Sequence, residues 1–120
     1  VIDIITSDHN PIDIEHKKVE FSESKNGVIG LESAFGAINS VLNLEDFIEN
    51  LTSKPKAIFG LENHSIKENN TAEITLFNPQ KKYTFTKENI LSTSKNSPFL
   101  DKKLKGNVYG IYANKQLIIN

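Results

Sequence analysis

The order of its segments predicts a mixed helix-and-sheet fold, by composition alone an α+β domain. Three observations carry this. The chain opens on a β-branched run, Val1-Ile2-Asp3-Ile4-Ile5-Thr6. Apolar residues then recur at three-and-four spacing from Leu31 to Leu42, and after Leu61 short alternating segments take over.

Val1 to Thr6 is apolar except for Asp3 and predicts a mostly buried strand. It ends at Ser7-Asp8-His9-Asn10-Pro11, where Asp and Asn favour turns and Pro11 removes a ladder donor. Residues 13–26 are mostly charged and polar, which predicts a loop with one helical turn and Val19 and Phe21 as anchors. Gly27 and Gly30 bracket the start of a helix whose apolar face is Leu31, Ala34, Phe35, Ile38, Val41 and Leu42. Asn43 is a natural N-cap for a second helix through Leu51, with Glu45 and Asp46 in its first turn and a stripe of Phe47, Ile48 and Leu51. Ser53 then caps a short third helix with Pro55 near its first turn, and Gly60 supplies a left-handed stop. Farther on, residues 73–77 and 82–85 read as strands around an Asn78-Pro79-Gln80 turn. Residues 108–113 and 116–119 read as a hairpin about Asn114-Lys115.

Composition narrows the function classes. At 120 residues there is room for one domain or part of one, and 38% hydrophobic residues can supply a modest core without staples. No cysteine means no disulfide framework and no thiolate metal site, which excludes zinc fingers and suits a reducing compartment. The 14 basic residues, all lysine, nearly balance 15 acidic ones, so no net field favours nucleic acid or anionic lipid. Without arginine the chain also lacks the fork that grips phosphate or guanine in two places. No apolar run approaches the roughly 20 residues needed to span a bilayer, and a soluble, cytoplasmic protein is expected. The absence of methionine, even at position 1, and an opening in mid-strand predict a piece of a longer protein.

One constellation has catalytic character: Ser7-Asp8-His9-Asn10-Pro11, displayed at the end of a buried strand, the edge on which β/α barrels build active sites. Taken alone, such a turn is equally at home as inert strand-end capping. Four segments read together are more specific. Thr6-Ser7-Asp8-His9-Asn10-Pro11, Gly27-Val28-Ile29-Gly30-Leu31-Glu32-Ser33, residues 51–61 (LTSKPKAIFGL) and Asn96-Ser97-Pro98-Phe99, in this order, resemble the C-terminal third of dihydroorotases of the amidohydrolase superfamily. The resemblance implies an α/β fold: the C-terminal fragment of a metal-dependent β/α (TIM-like) barrel, plus the C-terminal strands of a small composite β-sandwich. Residues 1–61 would hold the last barrel strand and its helices, and 62–120 the sandwich strands and tail. The implied reaction is the hydrolysis of the cyclic amide of dihydroorotate, reversible with carbamoyl-aspartate, in pyrimidine synthesis.

The resemblance also implies residue roles. Asp8 looks like the aspartate that ends the last barrel strand, touches the zinc centre and shuttles the proton of its bound water. Asn26 and Gly27 fall where the family places a Phe-Gly pair whose main chain meets the substrate, and only the glycine matches. After the aspartate the family pattern is His-Ala-Pro-His, the last histidine helping to hold the substrate carboxylate; here Ile12 stands in its place and can donate no hydrogen bond. The remaining zinc ligands would lie before Val1. A second reading, fed by Ile12, is a catalytically silent homologue that serves as a structural partner of aspartate transcarbamoylase. A third is an autonomous small α+β binding domain. Self-association is expected of the piece by itself.

Other polar residues read blandly. His9, Asp13 and His16 match no helical or hairpin chelate spacing. His64 reads as solvated, and Glu32 as a first-turn partner of the helix dipole. Ser92, Ser94 and Ser97 have neither a glycine elbow nor an evident base for nucleophilic catalysis.

Overall fold

A computed structural model describes residues 2–62 and 65–120, so Val1 and His64 lie outside the described residues. Three helices precede a three-stranded antiparallel sheet: α1 (Leu31–Asn39), α2 (Leu44–Leu51), α3 (Ser53–Ile58), then β1 (Ile74–Thr84), β2 (Lys103–Ala113) and β3 (Gln116–Ile119), in the sheet order β1-β2-β3. A 3-10 turn at Ile14–Lys17 is the single helical turn expected in the polar stretch.

The opening run does not form a strand. Residues 2–13 carry no regular secondary structure, because no strand of the described residues lies beside them to satisfy a ladder. A lone hydrogen bond, from the Ile5 N–H to the Asn50 carbonyl at 3.2 Å, ties this run to α2. Val19 and Phe21 are not anchors either, since Phe21 is 98% exposed.

Helix α1 buries a different face from the one its apolar spacing predicts. Its buried residues are Ser33, Gly36 and Asn39, whereas Leu31 is exposed and Ala34, Phe35 and Ile38 are half-buried on either side. The reason is close approach to the sheet. A Cβ at Gly36 would stand 2.6 Å from the Tyr83 hydroxyl and 3.0 Å from the Leu104 Cβ, so only glycine lets the helix settle there. One turn on, the Asn39 side-chain amide donates to the carbonyls of Pro79 (2.9 Å) and Lys105 (2.7 Å), pinning α1 across β1 and β2.

Asn43 caps α2 as predicted, its side-chain oxygen accepting from the Asp46 N–H at 2.9 Å. Ser53 is the first residue of α3 rather than its cap; Thr52 precedes it without a side-chain capping bond. Gly60, at φ +65°, ends the turn after α3.

Residues 74–84 are one strand, not two around a turn. Pro79 cannot donate to a ladder, but β1 is an edge strand, and the register with β2 shifts between Asn78 and Lys82 to pass the proline as a bulge. The β2–β3 hairpin turns at Asn114 (φ +51°) and Lys115 (φ +62°), a tight left-handed turn made without glycine.

The core lies between α1 and the sheet. Ile29, Phe85, Ile90 and Leu104 are its buried residues, with Ala37, Tyr83, Phe99 and Leu100 packed against them. Phe35 bridges the layers, its ring centroid 5.1 Å from Phe47 of α2 and 5.0 Å from Phe77 of β1. No helix among the described residues is long and apolar enough to cross a membrane.

Candidate functional site

The turn at residues 7–12 folds onto the loop that leads into α1. Asp8 takes φ +43°, the left-handed region that aspartate tolerates better than most side chains, and its N–H donates to Thr6 Oγ1 at 3.1 Å. The reversal delivers the next residue, His9, to the start of α1. There its Nδ1 accepts from the N–H groups of both Gly30 and Leu31, each at 3.2 Å. These are donors that a helix leaves unpaired, and accepting both requires Nδ1 to be unprotonated. Sequence spacing could not reveal this cap, because the bond spans 21 residues.

Beyond His9 the two loops run side by side. The Asn10 N–H donates to the Val28 carbonyl at 2.9 Å, and the Asn10 side-chain amide reaches the Asn26 carbonyl at 3.5 Å. Gly27 has φ +134°, and a Cβ there would stand 2.7 Å from both the Asn10 carbonyl oxygen and Ile12 Cγ1. Only glycine meets both demands. Asp8, Ile12, Asn26 and Gly27, far apart in sequence, are thus carried on two abutting loops.

A third loop closes the arrangement. Ser94 Oγ donates to the Ile12 carbonyl at 2.8 Å, Asn96 Nδ2 to the Gly27 carbonyl at 3.2 Å, and the Ile29 N–H to the Asn96 carbonyl at 3.0 Å. The carbonyls of Asn26 and Gly27 are therefore both engaged within the protein. Glu32, more than a dipole partner, accepts from the Ser92 N–H (2.8 Å) and the Ser92 hydroxyl (2.5 Å). Burial pushes its carboxyl up, but the Ser92 hydroxyl and N–H, its own N–H and nearby His9 together outweigh that and hold it below the usual carboxylate value. Ser92 and Ser94 are stitches between loops, with Asn96 and Glu32 as partners that motif reading did not single out.

The donors of this chain do not make a zinc site by themselves. A catalytic zinc takes about three protein ligands. Among the described residues no group of three histidine, aspartate or glutamate side chains converges, and His9 Nδ1 already serves the helix. Asp8 is exposed and stands as a single carboxylate.

No family model matches the chain. Its structure superposes on the D-hydantoinase (dihydropyrimidinase) of Thermus sp. with a TM-score of 0.82 and 19% identity, covering 98% of this chain and 28% of that one. It also superposes on the inactive dihydroorotase-like domain of the CAD-like multifunctional protein of Chaetomium thermophilum, with a TM-score of 0.50 and 20% identity over 73% of this chain and 23% of that one. These likenesses define a class: the chain has the fold of a portion of a hydantoinase-type amidohydrolase. In sequence it is 40% identical over 110 residues to the dihydroorotase of Trichlorobacter lovleyi, which is 88% of this chain and 26% of the relative. The chain is a homologue of a C-terminal part of the dihydroorotases, and it spans about a quarter of their length.

Proposed function

We propose that the chain is the C-terminal part of a zinc-dependent, dihydroorotase-like enzyme that interconverts dihydroorotate and carbamoyl-aspartate in the cytoplasm. Residues 1–61 belong to its β/α barrel and 62–120 to its β-sandwich. The observation that carries this is the 40% identity to a dihydroorotase across 88% of the chain. The site geometry supports it: Asp8 sits at a backbone reversal of φ +43° and is flanked by a histidine fixed to a helix start. Such strained positions cluster where a side chain must be aimed. Asp8 is the proton carrier of the site and one ligand of the zinc, whose other ligands come from elsewhere in the longer protein. Gly27 keeps the facing loop close, and Asn26 and Gly27 line the substrate.

The test is turnover of dihydroorotate by the zinc-loaded longer protein. Asp8→Asn should lower kcat by about 10²-fold or more, the usual worth of a positioned acid–base group. A zinc-loaded protein that leaves dihydroorotate untouched refutes the reading. Ile12 favours a second one, a catalytically silent homologue that partners aspartate transcarbamoylase. It predicts no turnover together with a stable complex by sedimentation. The autonomous binding domain has no comparable support.

A further inference from the structure

The loss of a histidine at position 12 leaves an anionic ring without an anchor on this loop, but a cation lies across the same cavity. A hollow of about 370 Å³ beside the candidate site is lined by Ile12, Asp13, His16, Lys25 and Ser94, among others. Lys25 is exposed and directly precedes Asn26-Gly27. Its backbone is held on both sides: its N–H donates to the His16 carbonyl at 3.3 Å, and its own carbonyl accepts from Lys17 Nζ. Among the described residues the one ion pair within 4 Å is Lys54–Glu49, so no carboxylate neutralises Lys25. The groups facing it are Asp13, of opposite sign, and His16.

We infer that Lys25 is a specificity-determining residue: its ammonium holds the ring carboxylate of an anionic cyclic amide from the opposite wall of the cavity that Ile12 lines. The inference rests on the proposed dihydroorotase-like reading. An ammonium on a flexible stem suits the task, since it is a point charge with three donors and can cross a hollow that the isoleucine cannot bridge. Isoleucine then leaves that wall apolar, and the charge contact comes from Lys25 alone. Asp13 sets a limit on affinity, because its carboxylate repels the same anion.

The experiment measures both calorimetric binding of dihydroorotate and turnover in the longer protein, with dihydrouracil, the same ring without the carboxylate, as reference. Lys25→Gln should weaken dihydroorotate binding about tenfold or more, as expected for a lost charge-assisted hydrogen bond, and lower the dihydroorotate-to-dihydrouracil ratio of kcat/KM by a like factor. Lys25→Arg should retain the ratio. Asp13→Asn should tighten dihydroorotate binding, which a merely structural role for Lys25 would not predict. In the Lys25→Gln background, Ile12→His should recover the lost binding. Turnover with a ratio indifferent to Lys25→Gln overturns the inference and leaves the functional reading standing. Binding that depends on Lys25 without turnover supports the inference and sinks the enzyme reading; absence of binding overturns both.

Discussion

Replacing Asn39 tests how the helices are fastened to the sheet. Its amide is 5% exposed and donates to Pro79 at the bulge of β1 and to Lys105 in β2, at 2.9 and 2.7 Å. Two neutral hydrogen bonds contribute about 1–3 kcal/mol net, and stranding their acceptors adds roughly another 1 kcal/mol. Asn39→Ala should therefore cost about 2–4 kcal/mol. With an unfolding entropy of about 2.1 cal/mol/K per residue, that lowers Tm by roughly 8–16 °C for a chain of 120 residues. Urea and thermal unfolding followed by far-ultraviolet circular dichroism measure both. Asn39→Asp sharpens the test, because an ionised carboxylate can only accept and would face two carbonyl oxygens. Burial among acceptors raises the folded pKa of such an acid, so the variant's stability is present below the unfolded pKa and lost as pH rises. It should be weaker at neutral than at mildly acidic pH. Loss of less than about 0.5 kcal/mol in Asn39→Ala, within the range of an ordinary surface change, would refute the pin.

Glu32 gives the opposite pH sign. Its folded pKa is depressed, so the stability it contributes is present above the unfolded value and lost as pH falls through the folded one; Glu32→Gln should flatten the acid limb of the unfolding profile. The 120-residue chain on its own should neither hydrolyse dihydroorotate nor hold zinc tightly, since Asp8 is a single ligand; a stoichiometric submicromolar zinc site in calorimetry would contradict this. Exposed Ile2, Leu31 and the apolar β3 residues Leu117, Ile118 and Ile119 should drive the isolated chain to self-associate at micromolar concentration. Sedimentation reads this directly, and a clean monomer that binds no hydrophobic dye would count against it.

Sequence by itself determined the elements whose signals are local. The Asn43 cap, the 3.6-residue periodicity of α1, the Gly60 stop and the hairpin at Asn114-Lys115 are written within a few residues of where they act, so α1, α2 and the β2–β3 hairpin were legible. The family motifs likewise singled out Asp8, Gly27 and the departure at Ile12. Tertiary structure decided what depends on partners distant in the chain. A β-branched run becomes a strand only beside another strand, and residues 2–13 have none. Alternation could not reveal that β1 runs through Pro79, because the bulge is stabilised by pairing with β2. The buried face of α1 was set by the space at Gly36 and the reach of Asn39, not by apolar count. His9 became a helix cap, Glu32 a latch for Ser92, and Lys25 a neighbour of Ile12 only once the three loops had come together. Hydrogen bonds and cavities between segments 13 to 82 residues apart leave no periodic trace in a sequence.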